Sequence, residues 1–554
     1  MYGGKARSIE YLHTAENQRR DLQGEHGFRF FPGFYRHIIN TMDRIPFLKT
    51  RTVTGNLLDA PWFMIARTAQ APLISPSSFP VNWSQLLAFL KLWFVQGIGV
   101  PTNELLHFLR CLMVMMTSCD DRYRNQFEWI PYWDFIGAKE RSEGYQTVLG
   151  QGLTRVLVAM KAELSSTRTI GKVFSQMIYS WIDPFDTLDR LLNGPTSEVF
   201  IFPWISRLQD LGVKFVTGQL VIEFAASPDG KYLETITLTP NQLETTVLRR
   251  GVDFDIAVSA LPVDAMTNIL CQPGGEAFVR AARALSGLKN LETRWMNGIQ
   301  FYLATDVPLV QGHINFIDSL WALTAISQRQ FWTHCDLSTC GDGRVHGLLS
   351  VDISEWTVPG VFTTHKRAMD CDRNEVAREV WAQVKATVNV DGKVLLDDSM
   401  LMGYFMDNDI TPGVSDVFAS DNKEKNPYGN KFNLEPLFIN TVGSLENRPS
   451  TESGLENFFL ASDYVRTYTD VATMEAANES GRRACNAILD AMKLTDQRAE
   501  VWPLHQPWYV RLWQWLDQQR YNRGLPNLFA TPAMQHKTKP GGTLPGARAA
   551  SAGQ

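Results

Sequence analysis

NFFLASDYVRTYTDVATMEAANESGRRACNAIL, residues 457–489, sets the class of this chain. An apolar run, Phe458-Phe459-Leu460, gives way to small residues and then Asp463. A Thr/Tyr-rich turn follows, and Met474 to Leu489, rich in Ala, Glu and Arg, has helical character. The pattern predicts a strand, a tight turn and a helix, as in an α/β domain. A helix that begins just beyond a strand offers free N–H groups and partial positive charge to a ligand. Asp463, inside that turn, is placed to accept hydrogen bonds from a sugar-like hydroxyl. An ordinary strand–loop–helix of an α/β core has the same apolar pattern, so the functional reading rests on the side chains around it.

The 554 residues suffice for two or three domains, and 44% hydrophobic with 20% charged residues is ordinary for a globular protein. A net charge of −5 without a long basic run argues against nucleic acid as a partner. None of the seven cysteines forms a CxxC pair. The one local cluster, His334-Cys335 with Cys340, fits no zinc spacing, so no metal site is expected and a reducing, cytoplasmic compartment is the default. No signal peptide is visible, and the longest apolar stretch, Leu86 to Val100, is too short and interrupted to span a membrane.

Two further stretches lie near the start. Gly3-Gly4-Lys5-Ala6-Arg7 pairs glycines, which let a backbone pass close to a phosphate, with two cations; a glycine turn with solvated cations reads the same way. Gly24-Glu25-His26-Gly27-Phe28-Arg29-Phe30-Phe31-Pro32-Gly33 sets three glycines among aromatics, suiting a loop that covers a flat ligand, while Arg29 and Arg36 could instead stack on those rings.

The segment 457–489 resembles the C-terminal FAD signature of the flavin amine oxidase and phytoene desaturase superfamily. The matching residues are Ser462-Asp463, Met474-Glu475-Ala476-Ala477 and Ser480-Gly481-Arg482, with Ser462 and Ala476 standing where the superfamily has glycine. The stretches from Gly3 and from Gly24 resemble its phytoene desaturase-like branch. The resemblance implies FAD as cofactor, with Asp463 on its ribityl–pyrophosphate part and Met474 near the flavin. It implies that Gly3, Gly4, Lys5, Ala6, Arg7, Gly27, Phe28 and Arg29 line the same site. Val221 is expected to meet the adenine through its backbone, and Ala260 to lie on the adenosine side. No catalytic residue is assigned, since the flavin itself carries the hydride chemistry.

In that branch a strand, a G-x-G-x-x-G turn, a helix and a second strand, about 30 residues, come ahead of the glycine pair. Here Tyr2 alone separates Met1 from it, and neither Gly150-Gln151-Gly152 nor Gly341-Asp342-Gly343 is a substitute. The expectation is a Rossmann-like domain that lacks this unit, with FAD held weakly unless a longer reading frame or a separate chain supplies it.

The rest of the chain fits an α/β fold whose FAD-binding domain is discontinuous, built from residues 1–39, 204–266 and 457–489. Residues 40–203 are expected to form a helical, apolar substrate-lining region, with helices at Leu105 to Met116 and Thr154 to Leu164 and another running from Asp183 to about Asn193. Met113, Met115 and Met116 could line a cavity or simply pack helices. A helix from Trp204 to Leu211 leads to strands at Val213 to Val216, Leu220 to Phe224, Tyr232 to Thr239 and Phe254 to Pro262. Residues 267–456 form a mixed α+β substrate domain, with strands at Ile299 to Leu303 and Leu348 to Ile353, a helix at Asn374 to Val388 and a loop at Gly413 to Gly429. Beyond it, Trp502, Trp508, Tyr509, Trp513 and Trp515 suit either a membrane surface or packing on the protein body, and Lys537 to Gln554 has a disordered composition.

The leading expectation is an FAD-dependent oxidoreductase that takes hydride from an apolar, isoprenoid- or carotenoid-like small molecule. The alternatives are an amine oxidase, a dehydroxylase of a squalene-like precursor, and a flavin-deficient lipid-binding or scaffold protein.

Overall fold

A seven-stranded mixed sheet has the most strands of any sheet among the described residues. The computed structural model describes residues 2–78, 99–152, 154–155, 160–183, 186–240, 245–412, 431–494 and 496–530. The sheet runs in the order Leu401–Met406, Asn297–Leu303, Gly347–Ile353, Leu323–Ser327, Gly312–Phe316, Trp62–Arg67, Gln70–Pro76. Only Gly312–Phe316 and Trp62–Arg67 pair in parallel. Two strands from residues 62–76 thus join strands that lie more than two hundred residues later.

Strand periodicity divides this sheet into two chemically different faces. Ile299, Phe301, Leu303, Leu349, Val351 and Ile353 pack against Val376, Val380, Trp381 and Val384 of the helix Arg373–Val388. That helix begins with a full capping box, Asp372 to the Glu375 N–H and Glu375 back to the Asp372 N–H. The alternate positions, Gly298, Gln300, Tyr302, Leu348, Ser350 and Asp352, face the other way and are buried as well. A buried face carrying Gln, Ser and Asp needs partners there, and the Gly24–Phe31 loop lies across it.

The segment 457–489 folds as its pattern predicts. Phe458–Leu460 is a strand and Met474–Ala491 a helix, capped by the Thr473 side chain on the Ala476 N–H. The strand pairs in parallel with Ala257–Ser259, in register from Ala257↔Phe458 to Ser259↔Leu460. Beside this pair lies an antiparallel sheet of Gln219–Ala226, Leu233–Pro240 and Thr246–Arg249. Phe458, Leu460, Phe224, Leu233 and Met266 share one core there. The helices Thr102–Thr117 and Thr167–Ile182 form a separate layer around Phe108, Cys111, Met115, Tyr145 and Phe174, and Ile317 beside the large sheet joins it. No helix among the described residues is long and apolar enough to cross a membrane.

Three expected elements differ. Val213 to Val216 is irregular rather than a strand: left-handed glycines flank it (Gly212 φ 88, Gly218 φ 74), and Val216 is 77% exposed, with no strand paired to it among the described residues. Asp183 does not begin a helix. It ends the helix Thr167–Ile182, and Arg190–Leu192 is a strand paired with Leu57–Asp59. Met160 to Leu164 lies in turns, because the chain there bends to bring Ser165 and Ser166 into bridges with Thr441 and Pro131. The stretches Gly413 to Gly429 and Lys537 to Gln554, and most of Leu86 to Val100, lie outside the described residues.

Candidate functional site

The turn after Phe458–Leu460 is held rigidly. The Ala461 N–H donates to Ser259 O at 2.8 Å, so the carboxyl ends of both parallel strands open at Ala260 and Ser462. Ligands of parallel sheets gather at such ends. Fully buried Arg448 ties down the following residues, donating to Tyr464 O at 2.8 Å, Val465 O at 2.7 Å and Asp463 O at 3.2 Å. It also pairs with Asp470, which Arg168 engages from the other side. Asp463 itself is half-buried, and its carboxylate meets only the Ser462 hydroxyl, at 3.2 Å, among the described residues. Nearby, Ser259 Oγ and Asp264 Oδ1 are buried without a hydrogen-bond partner among the described residues. Burial raises the Asp264 carboxyl, Lys5 pulls it down, and Asp463 and Glu435 push it up. Lys5, Asp264, Asp463 and Glu435 therefore share one electrostatic neighbourhood.

The N-terminal glycine pair comes to this neighbourhood. Gly3 and Gly4 both take positive φ (86° and 55°), closed by the Ala6 N–H on Gly3 O at 3.0 Å. Arg7 is not the solvated cation that sequence alone allows. It is 4% exposed and paired with Asp409 at 3.1 Å and Glu435 at 2.9 Å. Lys5 donates to Pro436 O, and Arg29 donates to Lys5 O and, at 2.7 Å, to Gly27 O. Arg29 thereby joins the two glycine-rich stretches through backbone carbonyls instead of stacking on a ring.

The Gly24–Phe31 loop covers the polar face of the large sheet. Gly27 has no room for a side chain: a Cβ there would stand 2.9 Å from Asp352 Oδ1. Phe28 and Phe30 each meet the His313 ring at 5.1 Å, and His313 is paired with Asp189. His26 is clamped by Asp407 at 2.5 Å, with Asp409 at 3.7 Å, and Asn297 donates to Asp407 at 2.8 Å. Burial favours neutral His26, but the neighbouring Asp407 and Asp409 carboxylates outweigh it and raise its pKa. Burial likewise pushes Asp407 up, and the His26 contact more than reverses this. His26, Asp407 and Asp409 have the spacing of a metal site, yet Arg7 and Asn297 already occupy the carboxylates.

Asp352 is the outlier. Burial raises its pKa to about 7, despite the favourable influence of Arg29, His26, the Phe28 N–H and His313. Its Oδ1 is buried without a partner. A carboxyl whose folded pKa lies above its unfolded value of 3.8 adds nothing at low pH and costs stability as pH rises through about 7. Asp352→Asn removes that cost. Its Tm should match the wild type near pH 4 and exceed it at pH 8, read by calorimetry; an equal Tm at both pH values would defeat the assignment.

The side chains of two other expected site residues pack in the cores around the turn. Val221 lies against the core of Phe458 and Leu460, and Met474 packs beside Phe31 and Phe200. Ala260 is exposed. Glu475 and Arg482, inside the signature, have an unforeseen role. Glu475 accepts from the N–H groups of Arg36, His37 and Ile38 and from the His37 ring, capping the short helix His37–Met42. Burial pushes Glu475 up, but His37 and these N–H groups hold it below the usual range. Arg482 donates to His37 O, Asn40 Oδ1 and Thr41 Oγ1. The signature helix is thus bolted to the chain that leaves the aromatic loop. Asp352 was legible in principle, because Ser350 and Asp352, two positions apart, break an otherwise apolar strand on one face.

The family of flavin-containing amine oxidoreductases matches residues 204–489, which includes the parallel pair, the Asp463 turn and most of the large sheet. The chain belongs to this family. As a flavin amine oxidoreductase it is an FAD-dependent oxidoreductase. Among solved structures, an oxidoreductase from Methanosarcina mazei is 11% identical with a TM-score of 0.52, over 88% of this chain and 92% of that one. Putrescine oxidase bound to putrescine is 10% identical with a TM-score of 0.52, over 88% and 91%. At these identities the likeness is one of fold. No curated protein matches the chain significantly in sequence.

The residues present fit part of FAD. The thinly bonded Asp463 carboxylate and the orphaned Ser259 and Asp264 oxygens suit a ligand rich in hydroxyl groups. Among the described residues, no strand, G-x-G-x-x-G turn and helix follow one another.

Proposed function

We propose that this flavin amine oxidoreductase removes hydride from a C–H bond of an apolar, isoprenoid-like molecule, a desaturation of the carotenoid type. One observation supports the reading above all: the helices Thr102–Thr117 and Trp508–Asn522 both turn apolar side chains to solvent, and Thr102–Thr117 packs a second apolar face inward. Helices of a soluble body are usually apolar on one stripe only. Bound FAD supplies the hydride acceptor. The chain supplies Asp463 and its rigid turn for the cofactor, and the Gly24–Phe31 loop with Asp352 to shape and dry the space beside it.

A second reading, amine oxidation, draws on Asp352 and the Phe28, Phe30 and His313 rings: a buried carboxyl beside aromatic faces suits an ammonium. Anaerobic reduction separates the two. An apolar polyene in detergent should bleach the flavin of the reconstituted protein and gain a conjugated double bond. Bleaching by a simple alkylamine, with the polyene inert, would favour the second reading.

We also propose that the parallel pair Ala257–Ser259 and Phe458–Leu460 is the remnant edge of a Rossmann-like sheet, completed by a dinucleotide-binding βαβ unit on further polypeptide or on a separate chain. Parallel sheets are normally covered on both faces. Here Val258, in the middle of one of the two strands, is 45% exposed.

A further inference from the structure

The helix Trp508–Asn522 shows solvent one continuous stripe: Trp508, Arg511, Leu512, Trp515, Leu516, Gln519 and, just past its end, Arg523. Trp508 is 81% exposed, Leu512 57% and Trp515 58%. The helix's single carboxylate, Asp517, is turned inward, 2% exposed and paired with Arg122 at 2.9 Å. Alongside, the helix Thr102–Thr117 exposes Leu106, Leu109, Arg110 and Met113, again one face. The two stripes adjoin. Arg110 donates to Phe529 O at 2.6 Å, the Phe529 ring meets Trp513 at 5.5 Å, and Gln514 donates to Met116 O at 3.2 Å. Exposed Leu525 and Leu528 extend the platform.

We propose that this platform docks on an anionic lipid bilayer and brings the enzyme to substrate dissolved there. The proposal rests on the apolar-substrate reading above. Tryptophan and leucine on one side of a helix, with arginines among them and no outward carboxylate, is the composition of a helix lying in a membrane interface. Exposed Asp120 and Asp121 sit at one rim, with Gln518 hydrogen-bonded to Asp121 at 2.8 Å. The arginines also argue against a second copy of the chain as occupant. An isologous contact would bring Arg511 and Arg523 of two stripes together, whereas lipid phosphates neutralise them. The layer carrying the platform packs on its inner side near Ile65 and Ile317, next to the large sheet, which gives an apolar molecule a short way from bilayer to site.

The test is flotation of residues 1–554 with vesicles of phosphatidylcholine, with or without phosphatidylglycerol. It requires neither flavin nor turnover, so it fails or succeeds apart from the substrate assignment. Wild type should float with the anionic vesicles. The variant Trp508→Ser/Leu512→Ser/Trp515→Ser, altered only at exposed positions, should lose about a hundredfold in affinity with an unchanged circular dichroism spectrum. Arg511→Gln/Arg523→Gln should lose about tenfold on anionic vesicles and little on neutral ones. Absence of vesicle binding by the wild type, or equal binding by the triple variant, overturns the proposal. So does concentration-dependent self-association that the triple variant abolishes while vesicles compete for nothing.

Discussion

A polypeptide consisting of residues 1–554 alone should purify colourless, and a dinucleotide-binding βαβ unit, fused or supplied as a second chain, should restore a yellow flavin spectrum. The pyrophosphate of a dinucleotide normally rests on a glycine-rich turn and a helix N-terminus. Each backbone N–H bond to such a charged group contributes about 1.5–3 kcal/mol, so losing several lowers affinity by orders of magnitude. The structure also removes cations that the sequence left free: Arg7 is committed to Asp409 and Glu435, and Lys5 to Pro436 O. In the restored protein, Asp463→Ala takes away a hydroxyl acceptor at a costs of about 1–3 kcal/mol, a loss of about tenfold to a hundredfold in FAD affinity by titration. A yellow protein from residues 1–554 alone, with one FAD per chain, would overturn the first expectation; an unchanged Kd for Asp463→Ala would overturn the second.

What the sequence made legible depended on how far apart the interacting residues lie. The strand Phe458–Leu460 and the helix Met474–Ala491 declare themselves by local period, and so do Asn297–Leu303, Gly347–Ile353 and Arg373–Val388. Val213 to Val216 has strand composition but two left-handed glycines and, among the described residues, no partner strand, and composition alone could not reveal that. The helix Thr167–Ile182 was obscured because its first turns bury Thr167, Arg168, Thr169 and Gly171, residues that usually mark turns or surface. The signature helix was legible, but the work of its Glu475 and Arg482 was not, since the groups they hold lie some 440 positions earlier in the chain (|i−j| of 439 and 445). The Gly24–Phe31 stretch was expected to cover a flat ligand. That it covers Gln300, Ser350 and Asp352 followed only from the register of the large sheet.

Arg448→Met should be among the most damaging single substitutions in this chain, lowering stability by about 3–5 kcal/mol and loosening the flavin site with it. Arg448 and Asp470 are both fully buried, and Asp470 holds a left-handed backbone (φ 58) fixed by its N–H on Thr467 Oγ1 at 3.1 Å. Asp470 balances Arg448 and Arg168 together. Without Arg448 that carboxylate keeps one buried partner, and the carbonyls of Asp463, Tyr464 and Val465 lose their donor. Unpaired buried polar groups are more costly than the bonds they once made are favourable. Methionine fills the volume and still faces the Phe438 ring, 5.3 Å from the guanidinium in the wild type, so the loss reports the charge and its bonds more than a cavity. Arg466→Met is the control: Arg466 is half-buried and bonds carbonyls at the edge of the same turn, Leu445 O at 3.1 Å. It should cost about 1 kcal/mol. In denaturant melts the Arg448→Met midpoint should fall well below that of Arg466→Met. In the reconstituted protein its FAD affinity should fall too, because the carbonyls it ties down are those that aim Asp463. Equal midpoints for the two variants, or a destabilised Arg448→Met that binds FAD as tightly as wild type, would separate the buried arginine from the cofactor turn and undo the link drawn here between them.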